Sequence, residues 1–189
     1  MRRSRFPALA CFALTLTLLL PWPIAAQEAS WLDGDLASWN TPGMAIPAAP
    51  TIDGNTDPRC SDRARPAETA EDESLAAQGW QLFLPYQRGW GVTLIPGLSA
   101  YDGMCRPLGY QYFVFVDGVY AGTIAPASMD SRTDGAAGDV NLWYKDQLGA
   151  EFLRYTADDA LCCPSSTTSV EYTIATTVDG PVLNPVPPQ

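Results

Sequence analysis

The sequence predicts an α+β domain that is mainly antiparallel β-sheet, built from hairpins, with one short helix packed on it and disulfides joining its parts. Three observations support this fold class. Short β-rich runs, separated by turn residues, fill most of the second half of the chain. Only one segment carries strong helix signals. An even number of cysteines follows an apparent export signal, as a disulfide framework requires.

The first 26 residues have the features of a cleavable secretory signal peptide. Three arginines precede an apolar run from Phe6 to Leu20, and small residues end the segment at Ala26. A membrane anchor is disfavoured because the run is short and two prolines follow it. Cys11 lies early in the run and has no leucine three positions before it, so a lipid anchor is not expected. We therefore expect a soluble periplasmic or secreted protein, with no integral membrane segment after cleavage.

The charge of the chain limits its partners. Removing three arginines from a chain with 11 basic and 21 acidic residues leaves a net charge of −13, and Lys145 is the only lysine. Binding of nucleic acid depends on clustered basic side chains that replace counterions on phosphates. Nucleic acid is therefore not an expected partner.

Four cysteines remain after the signal, and they allow three disulfide pairings: Cys60, Cys105, Cys162 and Cys163. A bridge between Cys162 and Cys163 would be strained, because adjacent Cα atoms are only about 3.8 Å apart. We therefore expect each of these two cysteines to reach a different, distant partner. A structural zinc site is the competing interpretation, but the chain has no histidine and no C-x-x-C spacing.

Composition divides the rest of the chain into three parts. Residues 27–67 form a proline-rich leader that we expect to be mostly irregular, with a short docked turn near Trp31 and Trp39. Residues 68–184 are long enough for a single α+β domain. Residues 185–189 form a proline-rich tail that is not expected to hold a strand.

The domain begins with the predicted helix. Thr69 can cap its first turn, and the acidic run from Glu71 to Glu73 follows where the positive end of the helix dipole favours carboxylates. Gly79 stands where a left-handed residue would end the helix. We expect a helix of about two turns that leans on a sheet, since so short a helix is marginal alone.

The strongest β signal is a hairpin. Residues 110–116 and 119–124 are rich in aromatic and β-branched residues, and Asp117-Gly118 between them suits a two-residue turn with positive φ at both positions. Both faces of the first strand are apolar, so we expect it to be central and covered on both sides. The predicted register pairs Val116 with Val119, Phe115 with Tyr120, and Phe113 with Gly122. Further strands are predicted at 80–84, 92–95, 140–144, 151–155, 169–177 and 182–183.

Three segments resemble the LppP/LprE lipoprotein family: Phe113-Val114-Phe115-Val116-Asp117-Gly118-Val119-Tyr120-Ala121-Gly122-Thr123, Phe152-Leu153-Arg154-Tyr155, and Asp159-Ala160-Leu161-Cys162-Cys163-Pro164-Ser165. The resemblance covers residues 75–180. It implies a small extracytoplasmic α+β domain in a bacterium, and the family brings no established activity. The chain departs from the family pattern at the N-terminus, where a proper lipobox is missing.

The residues offer little catalytic chemistry. Without histidine, Ser-His-Asp and Cys-His arrangements are excluded. Adjacent carboxylates occur at Asp158-Asp159 and at 71–73, but neighbours in sequence need not face one site. Oxygens at alternate positions of 53–57 suggest a calcium loop, yet Pro58 and Ala64 stand where that motif needs glycine and glutamate. We predict no catalytic residue, no cofactor and no metal site.

Binding is the function that the sequence favours. Five tryptophans and eight tyrosines follow the signal, enough for some of them to lie exposed and contact a ligand. Tyr101, Asp102 and Arg106 place an aromatic ring, an acid and a cation beside Cys105, and we predict a ligand site there. We expect a non-enzymatic domain that binds an unknown ligand or protein at or near the bacterial cell envelope. The alternative is an envelope hydrolase, similar to a glycosidase, that uses paired carboxylates.

Overall fold

A computed structural model describes residues 30–52 and 58–187 of the chain. The predicted signal peptide and residues 53–57 of the rejected calcium motif lie outside this part. The described residues form one α-helix, two short 3₁₀ helices at Trp31–Asp33 and Pro58–Arg63, and eleven strands. All paired strands are antiparallel. The prediction of mainly antiparallel sheet with one short helix is therefore confirmed.

Two sheets contain most of the strands. The first sheet has the order β1-β3-β6-β7, with β2 also paired to β3: β1 (Gln81–Leu82), β2 (Gln87–Gly89), β3 (Val92–Leu98), β6 (Gln111–Val116) and β7 (Val119–Thr123). A small two-stranded ribbon follows β3: β4 (Ala100–Tyr101) and β5 (Pro107–Leu108). The second sheet has the order β11-β10-β9-β8: β8 (Ala137–Tyr144), β9 (Gln147–Arg154), β10 (Ser166–Thr177) and β11 (Gly180–Val186).

The first sheet is the middle layer of the domain. One face packs against the helix and contributes Phe113 and Phe115 to a core with Leu75. The other face packs against the second sheet, so that Val114 and Phe152 share a larger core. Because β6 lies between β3 and β7 and is buried on both faces, its predicted central position is confirmed.

The helix α1 (Ala70–Ala77) has the predicted boundaries. The backbone N–H of Asp72 donates to the hydroxyl of Thr69 at 3.1 Å, so Thr69 is the N-cap. Gly79 follows with a φ of 87°, a conformation that favours glycine and ends the helix.

The hairpin between β6 and β7 has the predicted turn but only part of the predicted register. Asp117 and Gly118 both have positive φ, and Val116 pairs with Val119 while Phe115 pairs with Tyr120. The predicted pairing of Phe113 with Gly122 is wrong, because a β-bulge shifts the register by one residue and places Val114 opposite Gly122. Glycine is required at position 122 because the side-chain amide of Asn40 packs against it, and a Cβ there would overlap this amide.

The described part of the leader lacks long elements, as predicted, and crosses the domain. Trp31 begins the first 3₁₀ helix and packs edge-on against Phe152, with ring centroids 4.8 Å apart. The indole N–H of Trp39 donates to the carbonyl of Thr123 at 3.0 Å. The leader is therefore part of the core rather than a detached linker.

The prediction that residues 185–189 hold no strand is wrong for the first two of these residues. Strand β11 continues through Pro185 and Val186, which pair with Tyr172 and Glu171 of β10. Proline cannot donate to a ladder, but β11 is an edge strand of the second sheet and needs no donor on its outer side.

The buried side chain of Asn40 joins the two sheets. Its amide nitrogen donates to the carbonyls of Thr123 and Leu183, both at 3.0 Å, and its amide oxygen accepts the N–H of Thr123 at 2.9 Å. We expect Asn40→Ala to lower the free energy of unfolding by about 3 kcal/mol, because it removes three buried hydrogen bonds, including the one from the N–H of Thr123. Urea unfolding measures this loss.

Asn141→Ala is the matched control for stability, since the amide of the exposed Asn141 has one side-chain hydrogen bond among the described residues, to the carboxylate of Asp139. A change within about 0.5 kcal/mol is expected there. Equal losses in the two variants would contradict the bridging role of Asn40.

Candidate functional site

A disulfide anchors one corner of the domain. Cys60, in the second 3₁₀ helix, is bonded to Cys105 in the loop between β4 and β5, with Cα atoms 5.2 Å apart. Cys60 is only 2% exposed. The bond attaches the end of the leader to the ribbon that carries the predicted ligand loop, and it confirms that the domain is joined by a disulfide.

The expectation that Cys162 and Cys163 reach different distant partners is wrong. The structure pairs them with each other. The physical reason is that Cys60 and Cys105 are already bonded to each other at the other corner, so no distant cysteine of the described chain remains for either of them.

The predicted ligand residues separate into a turn and a cavity wall. Asp102 accepts the backbone N–H groups of Met104 and Arg106 at 2.8 and 2.9 Å, and its carboxylate forms an ion pair with the Arg106 guanidinium. Burial raises the pKa of Asp102, but these hydrogen bonds outweigh burial and hold the pKa below its usual value. Asp102 and Arg106 therefore shape the turn, whereas Tyr101 lines the cavity beside it.

This aromatic cavity has a volume of about 360 Å³ and lies where the ribbon meets the ends of both sheets. Four aromatic rings form much of its wall: Phe83, Tyr101, Tyr110 and Tyr112. Cys105 contributes to the wall, so the disulfide holds one side of the cavity in place. The volume lies within the range of small-molecule sites, about 300 to 1,000 Å³.

The hydroxyl of Tyr101 is the unusual group in this cavity. Tyr101 is only 4% exposed, and its hydroxyl has no hydrogen-bond partner among the described residues. Burial raises the pKa of this hydroxyl, and the positive charge of Arg63 lowers it in part. A buried polar group without a partner destabilises the fold, so this hydroxyl is left with an unused hydrogen-bonding capacity.

Two further tyrosines of the cavity were not predicted as site residues. Tyr110 and Tyr112 are two positions apart in extended chain, so their rings share one face. Burial raises the pKa of Tyr112 to about 12, and it also raises the pKa of Tyr110, whose hydroxyl donates to Ala137 at 2.8 Å. Both hydroxyls stay protonated at neutral pH. The alternation of tyrosines was visible in the sequence, but it equally suits a plain core strand.

Arg63 brings a positive charge to the cavity. Its side chain is exposed, it lines the cavity, and no ion pair of Arg63 is found among the described residues. The other arginines near this corner are engaged: Arg65 with Asp72, and Arg106 with Asp102. In an acidic protein, a cation without a carboxylate partner can attract an anionic group of a ligand.

Three of the five adjacent carboxylates singled out in the sequence have structural partners. Glu71 pairs with Arg88, Asp72 pairs with Arg65, and Asp159 accepts hydrogen bonds from Thr156 and Ser165. A different set of acids lines a groove of about 270 Å³ on the second sheet, beside the half-exposed ring of Trp143: Asp139, Glu151 and Glu171. Sequence reasoning missed this groove because its acids come from three strands.

Some aromatic side chains are exposed away from the cavity. Trp90 is 64% exposed and Tyr144 is 62% exposed, with ring centroids 6.2 Å apart at the tips of two hairpins.

Within the described residues, no group of three or more acids, cysteines or histidines is arranged to hold a metal ion.

The fold and the cavity define a small, disulfide-joined α+β domain of two antiparallel sheets with an aromatic pocket at one corner. Residues 94–177 match the model of the LppP/LprE lipoprotein family, and this match confirms the resemblance seen in the sequence. The matched segment contains Tyr101, Tyr110 and Tyr112 but not Phe83 or Arg63. No curated protein and no solved structure matches the chain.

The family favours an extracytoplasmic location, because its members are described as lipoproteins. For the same reason, it does not support our expectation that a lipid anchor is missing. No helix in residues 30–52 or 58–187 is long and apolar enough to cross a membrane.

Proposed function

We propose that this protein is an extracytoplasmic, non-enzymatic domain that binds a small apolar ligand at or near the bacterial cell envelope. The aromatic cavity is the binding site. The observation that carries the proposal is Tyr101, a buried residue of the cavity wall whose hydroxyl lacks a hydrogen-bond partner among the described residues. A ligand acceptor would satisfy this donor and remove the cost of its burial.

The walls indicate the chemistry of the ligand. Phe83, Tyr110 and Tyr112 offer ring faces and edges to an apolar body. The Tyr101 hydroxyl donates a hydrogen bond, and Arg63 adds a positive charge. We therefore infer that the ligand is an apolar molecule carrying an acidic group such as a carboxylate. The negative charge of the whole protein opposes anionic surfaces, so a single small anion fits better than a membrane.

Tyr101→Phe tests this site with anilinonaphthalene sulfonate, an apolar aromatic anion whose fluorescence rises on binding. We expect the variant to bind this probe about tenfold more weakly, since a hydrogen bond to a charged group contributes about 1.5 kcal/mol or more. Without the probe, the variant should be more stable by about 1 kcal/mol, because an unpartnered buried hydroxyl is removed. Fluorescence titration and urea unfolding measure the two effects.

Tyr120→Phe is the matched control. The hydroxyl of Tyr120 is also buried, and it interacts with the side chain of Thr123, but its ring packs in the core between the first sheet and α1 and does not line the cavity. This variant should keep its affinity for the probe. Equal affinities in the two variants would contradict the assignment of the cavity.

The alternative function, an envelope hydrolase that uses carboxylates, has one observation in its favour. Asp139, Glu151 and Glu171 share a groove on the second sheet with Trp143, an arrangement that could receive a sugar ring. Incubating the mature protein with envelope glycans and analysing the products by mass spectrometry separates the two functions. Hydrolysis products that disappear with Glu151→Gln would favour the enzyme.

A further inference from the structure

The loop between β9 and β10 carries two adjacent, exposed cysteines. Cys162 and Cys163 are paired with each other, and both side chains are exposed to solvent, as is that of Leu161 before them. The Cys60–Cys105 bond differs in both respects, since it joins distant parts of the chain and Cys60 is buried.

The bond between Cys162 and Cys163 does not hold the fold together. In the chain-entropy description, a disulfide stabilises a protein by closing a loop in the unfolded chain, and the effect grows with loop length. Neighbouring residues close no such loop. The Cys60–Cys105 bond spans 45 residues and constrains the unfolded chain strongly.

The loop is held by other contacts. The carboxylate of Asp159 accepts the backbone N–H of Thr156 at 2.7 Å and that of Ser165 at 3.2 Å, and it also accepts the Ser165 hydroxyl. The N–H of Cys163 donates to Ala160 at 2.8 Å. These bonds connect the two ends of the loop around the cysteines. The loop can therefore keep its position whether or not the two sulfurs are bonded.

We propose that Cys162 and Cys163 form a reversible dithiol–disulfide site that exchanges electrons with an external dithiol. In the balanced reaction, one thiolate of the external dithiol attacks a sulfur of the pair and breaks the Cys162–Cys163 bond. The second external thiol then attacks the external sulfur of the mixed disulfide, and the bound cysteine leaves as a thiol. The products are two cysteine thiols and the oxidised external molecule, with two electrons and two protons transferred. The external dithiol needs no binding cleft, because both sulfurs are exposed.

The charges around the loop determine whether a thiolate of Cys162 or Cys163 is stabilised. Arg154 lies at the end of β9, but its guanidinium is engaged with Asp33 and Asp134. Asp158 and Asp159 place negative charge beside the cysteines. Within residues 30–52 and 58–187, no free cation is therefore found beside the pair to stabilise a thiolate, which is the usual feature of a catalytic cysteine. The oxidised pair therefore accepts electrons from a reductant, and an external disulfide re-forms the Cys162–Cys163 bond in the reverse reaction.

The test uses the mature protein and dithiothreitol as the external dithiol. Samples equilibrated at rising dithiothreitol concentrations are alkylated with iodoacetamide, digested and analysed by mass spectrometry. We expect Cys162 and Cys163 to be alkylated at concentrations at least tenfold lower than those that expose Cys60 and Cys105. The thermal midpoint at the lower concentrations should stay within about 2 °C of the oxidised protein, because little stability is lost. Transfer of a reduced, unalkylated sample into oxidised dithiothreitol, which accepts the two electrons, should restore the original mass.

The double variant Cys162→Ser, Cys163→Ser is the control. It should show no alkylation at low dithiothreitol and the same thermal midpoint as the wild type. The proposal fails if all four cysteines become reactive together on unfolding, or if opening the Cys162–Cys163 pair alone unfolds the protein. It also fails if mass spectrometry finds either cysteine bonded to another partner.

Discussion

Replacing Cys60 and Cys105 by serine is expected to lower the free energy of unfolding by about 4 kcal/mol, the largest loss that we predict from a change of two side chains. The bond spans 45 residues of chain, and without it the unfolded chain regains the entropy of an open loop. For a domain of this size, the loss corresponds to a drop in thermal midpoint of about 10 to 15 °C. Urea unfolding and thermal denaturation both measure it.

The same variant should also lose the ligand site. Cys105 lines the aromatic cavity, and the loop that carries it is attached to the leader by this bond. Weaker binding of anilinonaphthalene sulfonate is therefore expected at temperatures where the variant is still folded. The Cys162→Ser, Cys163→Ser variant changes the same number of cysteines and closes no loop, so its stability should stay close to that of the wild type. Comparable losses in both variants would show that loop closure is not the cause.

Asp72→Asn is expected to lower the free energy of unfolding by about 3 kcal/mol at neutral pH, because it leaves the Arg65 guanidinium without its charged partner. Asp72 is 0% exposed, and its two oxygens accept bonds from Arg65 at 2.6 and 2.7 Å. The Arg65 side chain also donates to the carbonyl of Leu84, so the pair attaches the start of α1 to the end of β1. Urea unfolding of the two proteins gives the difference.

Glu71→Gln supplies the control for this effect. Glu71 is the neighbouring acid, and its ion pair with Arg88 lies at the surface with an N···O distance of 3.3 Å. Exposed ion pairs contribute little, so a change below about 1 kcal/mol is expected. If this variant lost as much stability as Asp72→Asn, helix-dipole effects common to both acids would explain the result better than the ion pair.

The effect of Asp72 should depend on pH in a defined direction. Burial raises the pKa of this carboxyl, but the hydrogen bonds from Arg65 and the N–H of Glu68 outweigh burial and hold the pKa below its usual value. A carboxyl whose pKa is lowered by folding adds stability above its unfolded pKa, near 3.9, and loses that contribution as the pH falls through the folded value. The difference between wild type and Asp72→Asn should therefore shrink below about pH 4.

The local elements of the fold could be predicted because short-range signals determine them. The cap at Thr69, the left-handed Gly79 and the turn at Asp117-Gly118 depend on the conformational preferences of a few adjacent residues. The β-bulge between the Val114 and Phe115 pairings was not predicted, because a two-residue turn alone implies a regular register. The strand through Pro185 was missed because only the sheet order makes β11 an edge strand.

In the candidate site, too, features set by adjacent residues could be predicted and features set by distant residues could not. Tyr101 was predicted as a ligand residue from its neighbours in the sequence, and it does line the cavity. Asp102 and Arg106 were predicted with it, but the turn brings them together so that each neutralises the other. The sequence could not show that Phe83, Arg63 and Tyr112 meet Tyr101, because they come from separate elements that only the folded chain brings together.

The sequence by itself determined the fold class, the helix, the central hairpin and the family resemblance, since these depend on patterns within short segments. It also predicted an export signal, which lies outside the described residues. Tertiary structure decided which cysteines pair and which side chains meet in the wall of the cavity, among them Tyr101, whose hydroxyl has no hydrogen-bond partner among the described residues. The reason is physical: a pairing or an unpaired group depends on distances between residues far apart in sequence, and the order of the sheets sets those distances.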